Sequence, residues 1–125
     1  MALHYLKQQR PVTDALRRSV AEDLPELADI ANGELRRKAI EAWAFALSHS
    51  SFGRISDIPP GGNPGMNVLK RGSQADHLRG VARLALQIAD TFIAQRPEVR
   101  IDRDVVRCGA LCHDVGKCYE FDPEN

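Results

Sequence analysis

Residues 73–95 restrict the fold more than any other part of the chain, because they form its longest stretch of helical periodicity. Ser73 and Asp76 make an S-x-x-D pattern, a variant of the capping box that begins helices, and Pro97 closes the segment. His77 lies on the predicted inward face, one turn before the apolar residues. The segment therefore predicts a long amphipathic helix with this buried stripe: Val81, Leu84, Ala85, Ile88 and Phe92.

Shorter segments nearer the N-terminus also predict helices. Thr13 is expected as the N-cap of a first helix, and Pro25 suits the start of a short second one. The Asn32-Gly33 pair then interrupts the pattern. Residues 34–48 follow as one amphipathic helix, with these apolar residues at helical spacing: Leu35, Ala39, Ile40, Trp43, Ala46 and Leu47.

The last predicted helix begins after Ile101, with Asp102 as its N-cap, and Gly116 is expected to supply its C-terminal stop. His113 falls seven residues after Val106, so it is expected to point along the inward side. No segment shows the alternation of a strand, and the predicted fold class is all-α. The inward stripe of this helix is Val105, Val106, Ala110 and Leu111.

A segment rich in proline and glycine separates the helical regions. Six of the seven positions 59–65 are Pro or Gly, which excludes a helix or a central strand there. A loop of this length in a compact domain is either mobile or functional. The chain is therefore expected to form one helical domain over residues 1–125. Its parts are N-terminal helices at 13–50, the loop at 51–72 and core helices at 73–120.

Charge and cysteine content exclude several functional classes. Seventeen basic residues balance seventeen acidic ones, so bulk binding to nucleic acid or to an anionic membrane is not expected. No apolar run approaches the roughly 18 residues of a transmembrane helix, and the first ten residues lack the apolar core of a signal peptide. The three cysteines do not suggest a disulfide framework, which favours a reducing, cytoplasmic location.

The pentapeptide at residues 113–117, His-Asp-Val-Gly-Lys, indicates a metal site when it is combined with His77. Imidazoles from two helices and the carboxylate of Asp114 make a nitrogen and oxygen ligand set that suits a hydrolytic or redox divalent cation. A lone histidine on an apolar face is more often a core residue than a ligand, and this applies to His77 taken alone. The doublet of His113 and Asp114, followed by Gly-Lys, favours the metal.

The segments ADHLRGVARLALQIAD and RCGALCHDVGK resemble the HD-domain superfamily of metal-dependent phosphohydrolases. The resemblance implies an HD-domain-like helical bundle in which His77 is the first metal ligand and His113 and Asp114 are the doublet. Asp114 would also be catalytic. The implied cofactor is a divalent ion: Mn, Fe, Ni, Co, Zn or Mg. The family's distal Asp ligand follows many residues after the doublet, and Asp122 is too close to play that part, so the bundle is expected to be incomplete in this chain.

The same resemblance suggests residues for substrate binding. It assigns Lys117 to the substrate phosphate or to the general acid, although a lysine that contacts exposed helix carbonyls is an equally good account. Lys70 and Arg71 are expected to bind the substrate anion. Arg71 resembles an arginine that several nucleotide-cleaving members place upstream of the first His; a solvated loop charge is the alternative. Arg54 is a weaker candidate of the same kind.

Other polar residues are expected to be structural. Asp76 is predicted as a capping residue, and His49 as an exposed residue near a helix end, with an added ligand or a substrate contact as the alternative. A zinc site at Cys108 and Cys112 is disfavoured, because these residues are four positions apart and no second cysteine pair follows. Both are therefore interpreted as small core residues.

Three functional classes remain. The leading hypothesis is hydrolysis of a small phosphate ester, with a nucleotide as one candidate, by metal-activated water. This needs neither a membrane nor nucleic acid as a partner, and a homo-oligomer is left open. A di-iron oxygenase would need further histidines after the doublet, and none occurs before Asn125. The third class is a non-catalytic helical domain whose HD residues are vestigial or bind a regulatory nucleotide.

Overall fold

A computed structural model describes residues 10–61 and 72–124, and in these ranges the secondary structure is helical, with no strand. Within these ranges, five α-helices follow each other. A 3-10 helix, Pro25–Asp29, lies between the first two α-helices, and a second, Ile55–Asp57, precedes the third. The α-helices are α1 Asp14–Asp23, α2 Gly33–Ser48, α3 Gln74–Gln95, α4 Arg103–Cys112 and α5 Lys117–Glu120. The all-α fold class is confirmed.

The local signals at the helix starts are confirmed where side chains cap the backbone. The Thr13 side chain accepts the amide of Leu16, and Asp102 accepts two amides at the start of α4. Ser73 and Asp76 form the predicted capping box, in which each side chain bonds to the other residue's backbone. Pro25 begins the first 3-10 helix, as its position suggested.

The start of α3 is fixed from the loop side as well. Gly72 has a φ angle of 80°, and an added Cβ there would lie 2.9 Å from an Asp76 carboxylate oxygen, so glycine is required. The next anchor is the amide of Gln74, which donates to the carbonyl of Ile58 at 2.8 Å. Ile55 and Ile58 are buried in the core. The first part of the loop at 51–72 is therefore fixed, and it holds the start of α3 in place.

The core lies where α2 packs on α1 and α4, and where α4 packs on α3. Trp43 of α2 is fully buried at its centre, and its indole N–H donates to the carbonyl of Leu111 at 2.8 Å. This bond joins α2 to the last turn of α4, directly before His113. The largest fully buried apolar side chains around Trp43 are Val20, Leu24, Leu27, Ile30, Leu47, Ile55, Ile58, Leu78 and Leu111.

The predicted burial of one apolar stripe along α3 is wrong for the larger residues of that stripe. Leu84, Ile88 and Phe92 each have more than half of their surface exposed, while Val81 and Ala85 are partly buried. Helix α3 has apolar side chains on two adjacent sides. Helix α4 packs on the side with the smaller residues, because these allow the two helix axes to approach closely. The buried positions of this helix are Gln74, Ala75, Leu78, Ala82 and Ala89.

Two expectations about α4 are also wrong. Val105 is exposed, because it lies on the solvent side of the helix, whereas Ala110 and Leu111 are buried as predicted. Gly116 does not provide a left-handed stop, since its φ angle is −67°. The helix ends at Cys112 with His113 as its C-cap, and the chain turns directly into α5. In the described ranges, no helix combines the length and the hydropathy needed to cross a membrane.

The short α5 is tied back to the chain after α2 by a buried carboxylate. Asp122 accepts hydrogen bonds from the Ser51 amide at 2.9 Å, the Ser51 hydroxyl at 2.7 Å and the Glu124 amide at 3.0 Å. Burial would raise the pKa of Asp122, but these hydrogen bonds outweigh it, and the pKa lies below its ordinary 3.8. The carboxylate therefore stabilises the fold when it is ionised.

We expect Asp122→Asn to lower the free energy of unfolding at neutral pH by about 1.5–3 kcal/mol, because the hydrogen bonds to a charged acceptor are lost. The depressed pKa in the folded state means that this stabilisation is present above pH 3.8 and is lost as the pH falls through the lower folded value. Urea denaturation of the wild type and of Asp122→Asn should show a difference in the free energy of unfolding that becomes smaller as the pH falls. Glu124→Gln, at an exposed neighbouring carboxylate, is the control. A difference that persists unchanged below the folded pKa would contradict this account.

Candidate metal centre

Three predicted ligands from two helices lie together at one end of the α3–α4 pair. His77 is in the first turn of α3, and His113 and Asp114 directly follow the last turn of α4. The two imidazole rings have centroids 5.6 Å apart and planes inclined at 58°. One potential ligand atom from each of the three residues lies within 4.8 Å of the other two. The packing of α3 on α4 thus brings together residues that are far apart in sequence.

The carboxylate of Asp114 lies between the two imidazoles. Its Oδ2 atom is 3.1 Å from Nε2 of His77 and 3.4 Å from Nε2 of His113. Two donor atoms bound side by side to one ion, each with a bond of about 2.1 Å, are themselves roughly 3.0–3.4 Å apart. The observed separations therefore suit shared coordination of a single cation, and the nitrogen and oxygen donors suit a divalent metal.

The hydrogen bonding of His113 fixes which ring nitrogen can bind a cation. Its Nδ1 atom is 2.6 Å from the carbonyl oxygen of Ala110. A carbonyl oxygen can only accept, so Nδ1 must carry the proton, and Nε2 of the neutral ring then has a lone pair. That lone pair and the carboxylate of Asp114 are close enough to repel each other unless a positive charge lies between them. An outer-shell carbonyl of this kind is the usual way to orient a metal-binding histidine.

The site opens to solvent on the side of His113. The exposed fraction of the side chain is 19% for Asp114, 32% for His77 and 40% for His113. His113 was expected on the inward side, but the helix ends just before it, so its ring lies at the surface of the α3–α4 pair. Solvent therefore reaches the imidazole of His113, while the carboxylate of Asp114 remains mostly covered.

Residues 75–125 match the family model described as the HD domain. This match is consistent with an HD-domain protein. HD-domain proteins are mostly metal-dependent phosphohydrolases. The matched range contains all three clustered residues and Lys117. No curated protein and no solved structure matches the chain.

The matched range also contains Lys117, which begins α5. Its ammonium donates to a carboxylate oxygen of Glu120 at 2.8 Å and lies 5.4 Å from the centre of the Phe121 ring. The side chain is mostly buried, with 17% exposed. This pairing shields the lysine charge in the structure. Lys70 and Arg71, the other predicted substrate contacts, lie outside the described residues.

The weaker candidates have structural partners. Arg54 donates to the carboxylate of Asp23 at 2.7 Å and also pairs with Glu22, which joins the segment after α2 to the end of α1. His49 is the C-cap of α2; its Nδ1 atom lies 3.0 Å from the Phe45 carbonyl, and its ring stacks on that of Phe45. Neither residue belongs to the candidate metal-ligand cluster found among the described residues.

The cysteines next to the HD doublet do not join the cluster. Burial, together with the neighbouring thiol of Cys108, raises the pKa of Cys112 to about 12. Burial also raises the pKa of Cys118 to about 12. Cys108 and Cys112 are partly buried and pack against the core, which supports their interpretation as small core residues, and Cys118 is buried in it.

Gln74, which was not predicted as a site residue, contacts the cluster. Its side chain is fully buried, and its amide nitrogen Nε2 donates to Oδ2 of Asp114 at 2.8 Å. It lies one helical turn before His77 on α3, on the side that faces α4. A buried amide at position i−3 from a predicted ligand is the signal that could have found it. Asp122, by contrast, bonds to Ser51 and is not part of the cluster.

Proposed function

We propose that this HD-domain chain hydrolyses phosphate esters with a divalent cation held by His77, His113 and Asp114. The observation that carries the proposal is the arrangement of two imidazole Nε2 atoms around one carboxylate oxygen, at 3.1 and 3.4 Å. Such an ion would lower the pKa of a bound water and polarise a phosphoryl oxygen. The exposed side at His113 leaves room for a substrate to reach it.

We propose roles for the individual residues from the positions of Asp114 and Lys117 and from the family resemblance. Asp114 brings its negative charge to the centre of the cluster and is proposed as both ligand and catalytic residue. Lys117 is three residues further along the same turn, and we propose that it leaves Glu120 to pair with the substrate phosphate, because both partners are anions. Lys70 and Arg71 are proposed as further phosphate contacts, on the family resemblance alone. The proposed substrate is a small phosphorylated molecule, with nucleotides first, in the cytoplasm.

The test is a hydrolysis assay on the full chain, loaded in turn with Mn, Fe, Ni, Co, Zn and Mg. We expect metal-dependent release of phosphate or nucleoside from at least one member of a panel of phosphomonoesters, phosphodiesters and nucleotides. His49→Ala should retain this activity, because His49 is outside the cluster. His113→Ala should lose it. Metal binding with no turnover on the whole panel would contradict the hydrolase and favour a non-catalytic domain; oxygen consumption with two irons per chain would favour the oxygenase.

A further inference from the structure

Gln74 occupies a position where its side chain has almost no freedom. Its backbone amide is fixed by the Ile58 carbonyl, its side chain is fully buried, and its Nε2 atom holds Oδ2 of Asp114 at 2.8 Å. Residues three apart on a helix share a side, so Gln74 and His77 project toward the same neighbour, α4. The first turn of α3 therefore carries the proposed ligand His77 and also Gln74, which contacts the proposed ligand Asp114.

Packing does not explain why this side chain is an amide. Its oxygen, Oε1, is buried and has no hydrogen-bond partner among the residues that the structure describes. A buried polar atom without a partner opposes folding, and an apolar side chain of similar shape would avoid that cost. Rotating the amide by half a turn would not help, because Oε1 would then face the Asp114 carboxylate. The bond from Nε2 to Asp114 is the interaction that the amide provides.

That bond acts on the carboxylate that the cluster shares. Asp114 lies just beyond the end of α4, and its carboxylate contacts the side chains of Gln74 and His77 on α3. The oxygen that accepts from Gln74 is the same one that lies 3.1 Å from His77 and 3.4 Å from His113. Without the amide donor, the carboxylate could rotate toward solvent on the open side of the site.

From this geometry we infer that Gln74 is a positioning residue that holds Asp114 in the orientation needed to bind the cation. The inference rests on the proposed function, since it assumes that the cluster binds a metal. Gln74 would contact a metal ligand, and residues that contact a ligand in this way typically change the metal affinity by about 10–100-fold. Gln74 itself is not proposed to touch the metal or the substrate.

The test compares Gln74→Met with the wild-type full chain in cobalt binding by isothermal titration calorimetry. Methionine keeps the unbranched shape but removes the donor. We expect cobalt to bind about 10–100-fold more weakly, with a changed visible absorption spectrum for the bound cobalt. The metal-free variant should melt no earlier than the wild type, because the buried unpaired oxygen is removed as well. Gln87→Met, at an exposed position of the same helix, is the matched control. It should change neither the cobalt affinity nor the melting temperature.

The outcomes separate this inference from the proposed function. If the wild type binds cobalt and His113→Ala does not, but Gln74→Met binds as tightly as the wild type, the positioning role is wrong and the metal site stands. If the wild type binds no metal, both proposals fail. Should Gln74→Met not fold, Gln74→Leu takes its place, and failure of both variants to fold would make Gln74 a structural residue and overturn the inference.

Discussion

Replacing His113 with alanine is expected to weaken manganese or cobalt binding by more than about 100-fold, beyond the usual upper range for an outer-shell partner. The hydrogen bond from Nδ1 of His113 to the Ala110 carbonyl holds the ring so that its Nε2 lies 3.4 Å from the Asp114 carboxylate. Alanine has no nitrogen in this place, so the variant loses one of the three proposed metal ligands. A 100-fold loss corresponds to about 2.7 kcal/mol of binding free energy. Calorimetric titration of the full chain, with metal analysis of both proteins, measures the effect.

The metal-free His113→Ala protein should be about as stable as the wild type, within roughly 0.5 kcal/mol, because the side chain lies at the surface after the end of α4. His49→Ala provides the matched control, since it also removes a histidine at a helix C-cap but one outside the cluster. Its metal affinity should equal that of the wild type. Equal metal binding by the wild type and His113→Ala would show that His113 is not a metal ligand.

The largest loss of stability is expected from Trp43→Ala, at about 3–5 kcal/mol. The indole is fully buried and contributes the hydrogen bond to the Leu111 carbonyl, so the variant loses apolar burial and leaves a cavity and an unpaired carbonyl. A domain of this kind has about 5–15 kcal/mol of total stability, so a substantial fraction of it would be lost. Trp43 is the single tryptophan, and urea denaturation should therefore be followed by circular dichroism.

Two companion variants define what the tryptophan contributes. Trp43→Phe keeps most of the apolar volume but leaves the Leu111 carbonyl without its donor, and we expect a smaller loss of about 1–3 kcal/mol. Phe45→Ala, on the exposed side of the same helix, should cost much less than Trp43→Ala. Equal losses for Trp43→Ala and Phe45→Ala would mean that the core is not centred on α2 as described.

Local sequence signals predicted the helix starts well, because capping depends on residues only three positions apart. Ser73 with Asp76, and Asp102 before α4, illustrate this. The meeting of His77 and His113 was also predictable in outline, since each lies near the end of a helix and the pentapeptide resembles a known family. The structure adds the distances and the tautomer of His113, which depend on the Ala110 carbonyl.

What the sequence did not predict depends on tertiary contacts. Periodicity identified apolar residues along α3 but could not tell which side α4 covers, so Leu84 and Phe92 were placed inside and lie outside. The role of Gln74 depends on a bond to a residue 40 positions away, and its spacing of three residues from His77 points to the site but not to that bond. Gly116 was expected to stop α4, but the turn after Cys112 begins a further short helix instead.

Because His77 belongs to α3 while His113 and Asp114 follow α4, any ion that binds all three would cross-link the two helices. A cross-link that exists only in the native state favours that state by mass action, with about 2.7 kcal/mol at a free ion concentration 100 times the dissociation constant. Folding and cofactor supply would then form one coupled equilibrium. The concentration of available cation would then help to set how much of the chain is folded.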